Sequence, residues 1–264
     1  MRALWTAATG MKSQQLSIDL IANNIANVNT VGYKKQQMQF KDLLYANIRR
    51  NHLVEGQGSP VQMQMGHGVM PTSTARLFSQ GNLEATDNPL DAAIDGEGFF
   101  VVEDPNGQFM YTRDGAFKLS VDGEESALVT SDGYFVMSEF DDIIVIGEGL
   151  SDLTISAMGV ITATNEDNEI EELGTLKIAR FINPQGLESK GQNLYAVTVA
   201  SGEEIPMEGE QRTSYIRQGY LEMSNVQIVD EMVRMITAQR AYELSSRVIQ
   251  TSDEMMGMAN NLRR

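Results

Sequence analysis

The stretch LWTAATGMKSQQLSIDLIANNIANV, residues 4–28, has two positions that recur every seven residues and are almost always apolar. The first position is occupied by Leu4, Met11, Ile18 and Ile25, and the second by Ala7, Gln14, Ile21 and Val28. Four repeats of this spacing are typical of a helix that packs against another helix. The sequence therefore predicts a long helix at this end of the chain.

The same spacing returns near the other end of the chain. The first position there holds Ile228, Met235, Tyr242, Ile249 and Met256, and the second holds Ala238, Ser245, Ser252 and Ala259. Small second-position residues allow two helices to approach closely. Each segment alone fits an ordinary amphipathic helix lying on the core of its own chain. Two such helices at opposite ends favour the prediction that they pair with each other as a coiled coil.

Polar residues interrupt both predicted helices. Asn23, Asn24 and Asn27 lie on adjacent turns near the end of the first helix, and Gln239 and Arg240 lie in the middle of the second. Amides inside a helix seam fix its register, because only one alignment satisfies their hydrogen bonds. The alternative is that these side chains face solvent.

The residues between the helices follow a different pattern. Residues 92–94 and 99–102 read as strands, and Asp-Gly pairs at 114–115, 122–123 and 132–133 read as turns. The predicted fold class is therefore α+β with a mainly β middle, flanked by paired terminal helices. We expect helices over 1–30 and 226–264, a connecting region over 31–80 and 212–225, and a β-rich outer domain over 81–211.

Residues 51–75 contain glycine and proline too often for a regular element. A long segment without its own secondary structure is usually a functional loop or a linker. We therefore expect an extended loop over 46–66.

Composition excludes several classes of protein. The 264 residues carry a net charge of −16, which argues against nucleic-acid binding, and they contain no cysteine for a disulfide, a thiol nucleophile or a thiolate zinc site. Apolar runs are too short for a membrane span, and the first residues do not form a standard signal peptide. We therefore expect no membrane insertion and no cleaved signal.

Catalytic patterns are also missing from the sequence. His52 and His67 lie in no zinc-type pair, and neither a nucleophile elbow nor a phosphate-binding loop is present. We predict no catalytic residues, no metal and no cofactor. A glycosidase needs only two carboxylates that no sequence pattern reveals. A secreted carbohydrate-active enzyme or adhesin with an oligomerising coiled coil therefore stays as an alternative.

Three motifs resemble the bacterial flagellar rod and hook protein family. They are Ala22–Lys34 near the first helix, Asn88–Phe100 at the start of the β domain, and Gln239–Glu243 in the second helix. The chain length suits a rod subunit. Phe40–Tyr45 and Gly66–Val69 resemble the distal rod subunit, with the proximal rod subunit or a rod-like paralogue as the alternative.

The resemblance implies a structural subunit that polymerises into a helical tube and transmits motor torque across the cell envelope to the hook. It implies unfolded passage through the flagellar type III export channel. The implied partners are other copies of the chain, proximal rod proteins, the hook protein, surrounding ring proteins and the export apparatus. The implied location is the rod of the basal body in the periplasm.

Two sets of residues are predicted to act in assembly. The assembly interface comprises Leu4, Met11, Ile18, Ile21, Asn23, Asn24, Ile25, Asn27, Gly32, Tyr33, Ile228, Met235, Gln239, Arg240, Tyr242, Ile249 and Met256. A rod-stiffening loop comprises Asn47, Arg49, Arg50, Gly56, Gly58, Pro60 and Met65.

Overall fold

The computed structural model describes residues 2–49, 63–122, 125–147, 151–165, 169–207 and 213–262. The chain divides into two compact units. The helical unit comprises Met1–Ala26, Gln36–Arg76 and Gln227–Arg264, and the β unit comprises Asn27–Lys35 and Leu77–Val226. None of the helices in the described ranges is long and apolar enough to span a membrane.

Two long helices, α1 (Arg2–Ala26) and α2 (Ile228–Asn261), form the helical unit together with four strands. The strands are β1 (Gln36–Asp42), β2 (Ala46–Arg49), β3 (Met63–Met65) and β4 (Val69–Arg76). Helix α1 ends at Ala26 and not at residue 30, because residues 27–30 turn and the Thr30 N–H donates to the Asn27 carbonyl oxygen. The single connecting region expected over 31–80 is divided between the two units, since residues 36–76 fold with the helices.

The expected loop over 46–66 and the irregular segment over 51–75 are wrong where β2, β3 and β4 lie within them, and their residues 50–62 are outside the described ranges. Strand β2 pairs antiparallel with β3, and β1 pairs antiparallel with β4 through a register shift between Gln39 and Phe40. Pro71 lies inside β4, opposite Phe40. A proline is tolerated there because each strand of a two-stranded ladder has one edge without ladder hydrogen bonds.

The β unit contains seventeen described strands, all of whose pairings are antiparallel. They are β5 (Leu83–Ala85), β6 (Ala92–Asp95), β7 (Phe99–Glu103), β8 (Phe109–Thr112), β9 (Lys118–Asp122), β10 (Glu125–Val129), β11 (Phe135–Val136), β12 (Val145–Ile146), β13 (Ser151–Ile155), β14 (Val160–Thr164), β15 (Ile170–Thr175), β16 (Ile178–Arg180), β17 (Glu188–Gly191), β18 (Leu194–Ala196), β19 (Ile205–Pro206), β20 (Tyr215–Gln218) and β21 (Tyr220–Glu222). Among the described residues of this unit, one 3-10 turn covers Pro184–Gly186.

Ten of these strands form one sheet. Its main path runs β12-β10-β11-β7-β8-β18-β17, with β9 on β10, β16 on β7 and β19 on β16. A second sheet runs β13-β14-β15, and two ladders pair β20 with β6 and β21 with β5. The strands predicted at 92–94 and 99–102 are confirmed.

Strand β7 is buried on both faces and lies at the centre of the β unit. Phe100 and Val102 belong to one apolar cluster, which also contains Phe117, while Phe99 and Val101 belong to a second. Successive residues of a strand point to opposite faces, so one continuous apolar run supplies both clusters.

A buried charge cluster ties residues 32–34 to the last strand of the β unit. Lys34 Nζ donates to Glu222 Oε1 and, over 2.9 Å, to the Ser79 carbonyl oxygen. Arg113 Nη1 donates to the other Glu222 oxygen over 3.0 Å. All three charged side chains are almost fully buried. Burial, reinforced by the neighbouring Arg113 charge and opposed by Glu222, lowers the pKa of Lys34.

Glu222→Gln is expected to destabilise the β unit by about 3–5 kcal/mol, because it leaves two buried cations without their shared carboxylate. Urea unfolding of the full chain, followed by circular dichroism, measures the loss. Glu84→Gln is the matched control, since Glu84 is exposed on the paired strand β5 and its loss is expected to change stability by less than about 0.5 kcal/mol. Equal stabilities of the two variants would contradict the role assigned to Glu222.

Candidate assembly interface

Helices α1 and α2 pack antiparallel along a line of mostly small or polar residues, which we call the seam. Its buried residues are Ala7, Ser13, Ile21 and Asn24 on α1, and Glu231, Ala238 and Ser252 on α2. Asn24 contacts Glu231 at one end of the seam, and Gly10 lies beside Ser245 farther along it. A Cβ added at Gly10 would lie 3.5 Å from Ser245 Oγ, so the backbones approach closely there.

Three polar groups form a buried clasp at one end of the seam. Asn24 Nδ2 donates to Glu231 Oε2 over 3.1 Å and to the Gln36 carbonyl oxygen over 2.9 Å. The Gln36 N–H donates in turn to Asn24 Oδ1 over 3.0 Å. Both Asn24 and Glu231 are 1% exposed. One amide therefore joins α1 to α2 and to the first strand that follows α1.

The clasp fixes the register of the two helices. Sliding one helix by a turn would separate the Asn24 amide from the Glu231 carboxylate, and leaving buried polar groups unsatisfied costs free energy. The sequence left open whether the helix amides lie inside the seam or face solvent. Asn24 is buried in the seam, whereas Asn23 is exposed.

The predicted helix residues fall into three groups by burial. Ile21 and Asn24 are buried; the half-buried residues are Leu4, Met11, Ile18, Ile25, Asn27, Met235 and Ile249; and the exposed residues are Asn23, Ile228, Gln239, Arg240, Tyr242 and Met256.

Gln239 and Arg240 are exposed, so their side chains face solvent and do not lie inside the helix seam. The buried column of α2 contains Glu231, Ala238 and Ser252, so the two residues directly after Ala238 point away from α1.

Gly32 and Tyr33 lie buried within the β unit and not along the helix seam. Gly32 adopts φ +68°, and a Cβ added to it would lie 2.8 Å from the Asp114 backbone nitrogen. The Gly32 N–H donates to the Glu222 carbonyl oxygen over 2.7 Å. The structure thus gives Gly32 a packing role inside one subunit.

Helix α2 presents large apolar side chains away from the seam. They include Ile228, Val229, Met232, Val233, Ile236, Met255 and Met258. Leu244 and Val248 are also exposed, but they line an open pocket beside Thr6 and Ala7 of α1. The exposed apolar side chains are distributed over several faces of the helix, a pattern that normally belongs to a helix surrounded by protein. Exposed apolar side chains in this number are chemically suited to contact with other protein chains.

The stiffening-loop residues are only partly within the described ranges. Asn47 and Arg49 contribute backbone to β2, and Met65 in β3 is exposed. Arg50, Gly56, Gly58 and Pro60 lie outside the described residues. Beside the loop, Gly68 adopts φ +110° and packs so closely on α1 that an added Cβ would lie 2.2 Å from Thr9 Oγ1.

The charged residues that organise both units, Glu231, Glu222 and Arg113, are not among the predicted site residues. Glu231 could have been found, because it precedes Ala238 by seven residues and therefore occupies the same heptad column. Nothing in the sequence pattern marks Glu222 or Arg113. Within the described ranges, no group of three or more His, Asp or Glu side chains is placed to hold a metal ion.

Asn24→Ala is expected to destabilise the helical unit by about 1–3 kcal/mol, since it removes the buried amide that bridges Glu231 and Gln36. Trp5 is the only tryptophan and lies on α1, so its fluorescence during urea unfolding reports on this unit. Gln15→Ala on the exposed side of α1 is the matched control. Unfolding midpoints that agree for both variants would refute the clasp.

Three family models match the chain. Residues 4–34 match the flagella basal body rod protein model, residues 93–163 match the flagellar hook protein FlgE/F/G D1 domain, and residues 217–262 match the flagellar basal body rod FlgEFG protein C-terminal model.

Full-length relatives agree with these models. Flagellar basal-body rod protein FlgG of Borreliella burgdorferi is 47% identical over 269 residues, covering 100% of this chain and 99% of the relative. FlgG of Caulobacter vibrioides is 41% identical over the whole of both chains. Flagellar hook-basal body complex protein FlhP of Bacillus subtilis is 33% identical, also over the whole of both chains. The chain therefore belongs to the flagellar basal-body rod protein family.

Proposed function

We propose that this rod-family chain is a structural subunit of the distal rod, which polymerises into a rigid helical tube and transmits motor torque across the cell envelope to the hook. The observation that supports this proposal most strongly is the set of large apolar side chains that α2 leaves exposed in one copy, such as Val229, Met232 and Val233. Burying apolar area is the main driving force of protein association, so covering these side chains with neighbouring copies favours a polymer.

Stiffness requires that subunits do not deform when they are loaded. The clasp of Asn24, Glu231 and Gln36 holds α1, α2 and β1 in one register. A helix pair with a fixed register presents the same surface in every copy, which a regular helical assembly needs. Helix residues that remain half-buried or exposed, such as Tyr242 and Met256, extend the surface available to neighbouring subunits.

The proposed partners are other copies of this chain, proximal rod proteins, the hook protein, the surrounding ring proteins and the export apparatus. The proposed location is the rod in the periplasm, which the chain reaches by type III export without a cleaved signal peptide. The absence of cysteine suits passage in an unfolded state, since no disulfide has to be opened. The proposal includes no enzymatic activity.

The proximal rod is the second candidate position. A rod-like paralogue is a further alternative, since the chain is also 33% identical to FlhP, which is named as a flagellar hook-basal body complex protein.

Immunogold labelling of purified hook–basal bodies tests the position. We expect label on the rod segment next to the hook, together with peptides of this chain in the mass spectrum of the particles. Label near the inner-membrane end would assign the chain to the proximal rod. Particles without the chain, together with soluble chain that degrades a glycan, would overturn the structural role in favour of a carbohydrate-active enzyme.

We further propose that the segment from Asn47 to Met65 contacts neighbouring subunits and stiffens the rod. Deleting residues 47–65 is expected to leave the β unit folded, because that unit contains none of these residues. The rod is expected to bend more, which electron microscopy of isolated basal bodies measures. In a second variant, a flexible linker of equal length replaces the same segment. Comparing it with the deletion shows whether rod bending depends on the sequence of the segment or on its length. Straight rods in both variants would contradict the assignment.

A further inference from the structure

The β unit contains an open cavity of about 380 Å³ beside β7 and β16, which we call the socket. Its lining includes Phe78, Phe99, Arg113, Arg180, Phe181 and Ile182. An apolar cavity of about 150 Å³ is already large enough to bind benzene, so the socket has room for an aromatic side chain.

The aromatic part of the socket is preformed. Phe99 packs edge-to-face against Phe78 at 5.3 Å and against Phe181 at 5.9 Å between ring centroids. The Arg113 guanidinium carbon lies 5.4 Å from the Phe99 ring centroid. Because these groups hold one another in place, a ligand entering the socket loses little free energy to ordering them.

The socket also carries a surplus of positive charge. Arg113 and Lys34 share one carboxylate, that of Glu222, and Arg180 forms no ion pair among the residues that the structure describes. Glu97 lines the socket and offsets one of these charges. The chemistry therefore fits a ligand that combines an aromatic ring with an adjacent carboxylate.

A segment of the same unit has this combination, and we call it the knob. Phe140 is 82% exposed and lies between Glu139 and the pair Asp141 and Asp142. The segment forms a tight turn in which the Ser138 N–H donates to the Asp142 carbonyl oxygen over 2.8 Å.

The turn is anchored at its tip. Asp141 adopts φ +63°, and its carboxylate accepts a hydrogen bond from Lys177 Nζ. Lys177 is largely buried, so its hydrogen bond to Asp141 attaches the turn to the core of the unit. An exposed aromatic side chain on an anchored turn is typical of a residue that dominates a protein interface.

We propose that Phe140 of one copy inserts into the socket of a neighbouring copy, where Asp142 pairs with Arg180. This inference rests on the proposed assembly of the chain with copies of itself. Knob and socket are different surfaces of one unit, so the contact is head-to-tail, and it leaves a free knob and a free socket at the two ends of any oligomer that does not close into a ring. When its rotation does not close, a head-to-tail contact builds an open helix, which is the symmetry that a helical rod requires.

Cysteine cross-linking tests the contact directly, because the chain has no cysteine of its own. The double variant Glu139→Cys with Gln185→Cys places one thiol beside the knob and one in the exposed wall of the socket. Oxidised rods are expected to give a ladder of dimers, trimers and larger species that collapses on reduction. Glu139→Cys with Ser189→Cys is the matched control, since Ser189 is exposed outside the socket and should leave the rods monomeric on the gel.

Rods that contain the first double variant but yield only monomer would overturn the contact, and so would an equal ladder from the control. Either result leaves the rod assignment intact. Unmodified chain missing from the basal bodies would instead overturn the proposed function.

Charge reversal gives a second measurement that does not depend on cross-linking. Phe140→Ala and Arg180→Asp are each expected to lower the number of completed rods per cell about tenfold or more, as truncation of a dominant interface residue does. Adding Asp142→Arg to Arg180→Asp is expected to restore most of that loss. Ile170→Ala is the control, because Ile170 is also exposed between acidic residues but is not part of the knob. Normal rod numbers with Phe140→Ala would overturn the proposal.

Discussion

Two buried glutamates organise the chain, each by holding residues from opposite ends of the sequence. The Glu231 carboxylate accepts a hydrogen bond from the Asn24 amide within the helical unit. The Glu222 carboxylate accepts hydrogen bonds from Lys34 and Arg113 within the β unit. A buried carboxylate is costly unless donors surround it, so each glutamate specifies its partners as well as binding them. The small seam residues and the apolar clusters supply packing around these points, but they do not by themselves choose one register.

The regular parts of the fold could be predicted because they are periodic. Heptad spacing located both helices, and the buried column through Ala238 and Ser252 follows the predicted second position. The uninterrupted apolar run at Phe99–Val102 located the central strand. Periodicity reports which residues face a core, and these elements depend on little else.

The remaining features depend on contacts between residues far apart in sequence. Strand β4 is not predicted from the sequence, because Pro71 and the glycines before it are typical of a loop. The strand forms through its hydrogen-bonded pairing with β1. Gly32 was assigned to an interface, but its backbone packs against Asp114 within the β unit. The socket could not be predicted at all, since Phe78, Phe99 and Phe181 have no common spacing and meet only through the sheet.

The spacing of the buried pairs also constrains how the chain can fold. Asn24 and Glu231 are 207 positions apart, and Lys34 and Glu222 are 188 apart. Contacts of this separation form late, because the chain between them must first be brought together. A chain that emerges amino end first from a ribosome or a narrow channel can complete neither unit until nearly all of its length is free. The first helix therefore stays unpaired until residues about two hundred positions later in the chain have emerged.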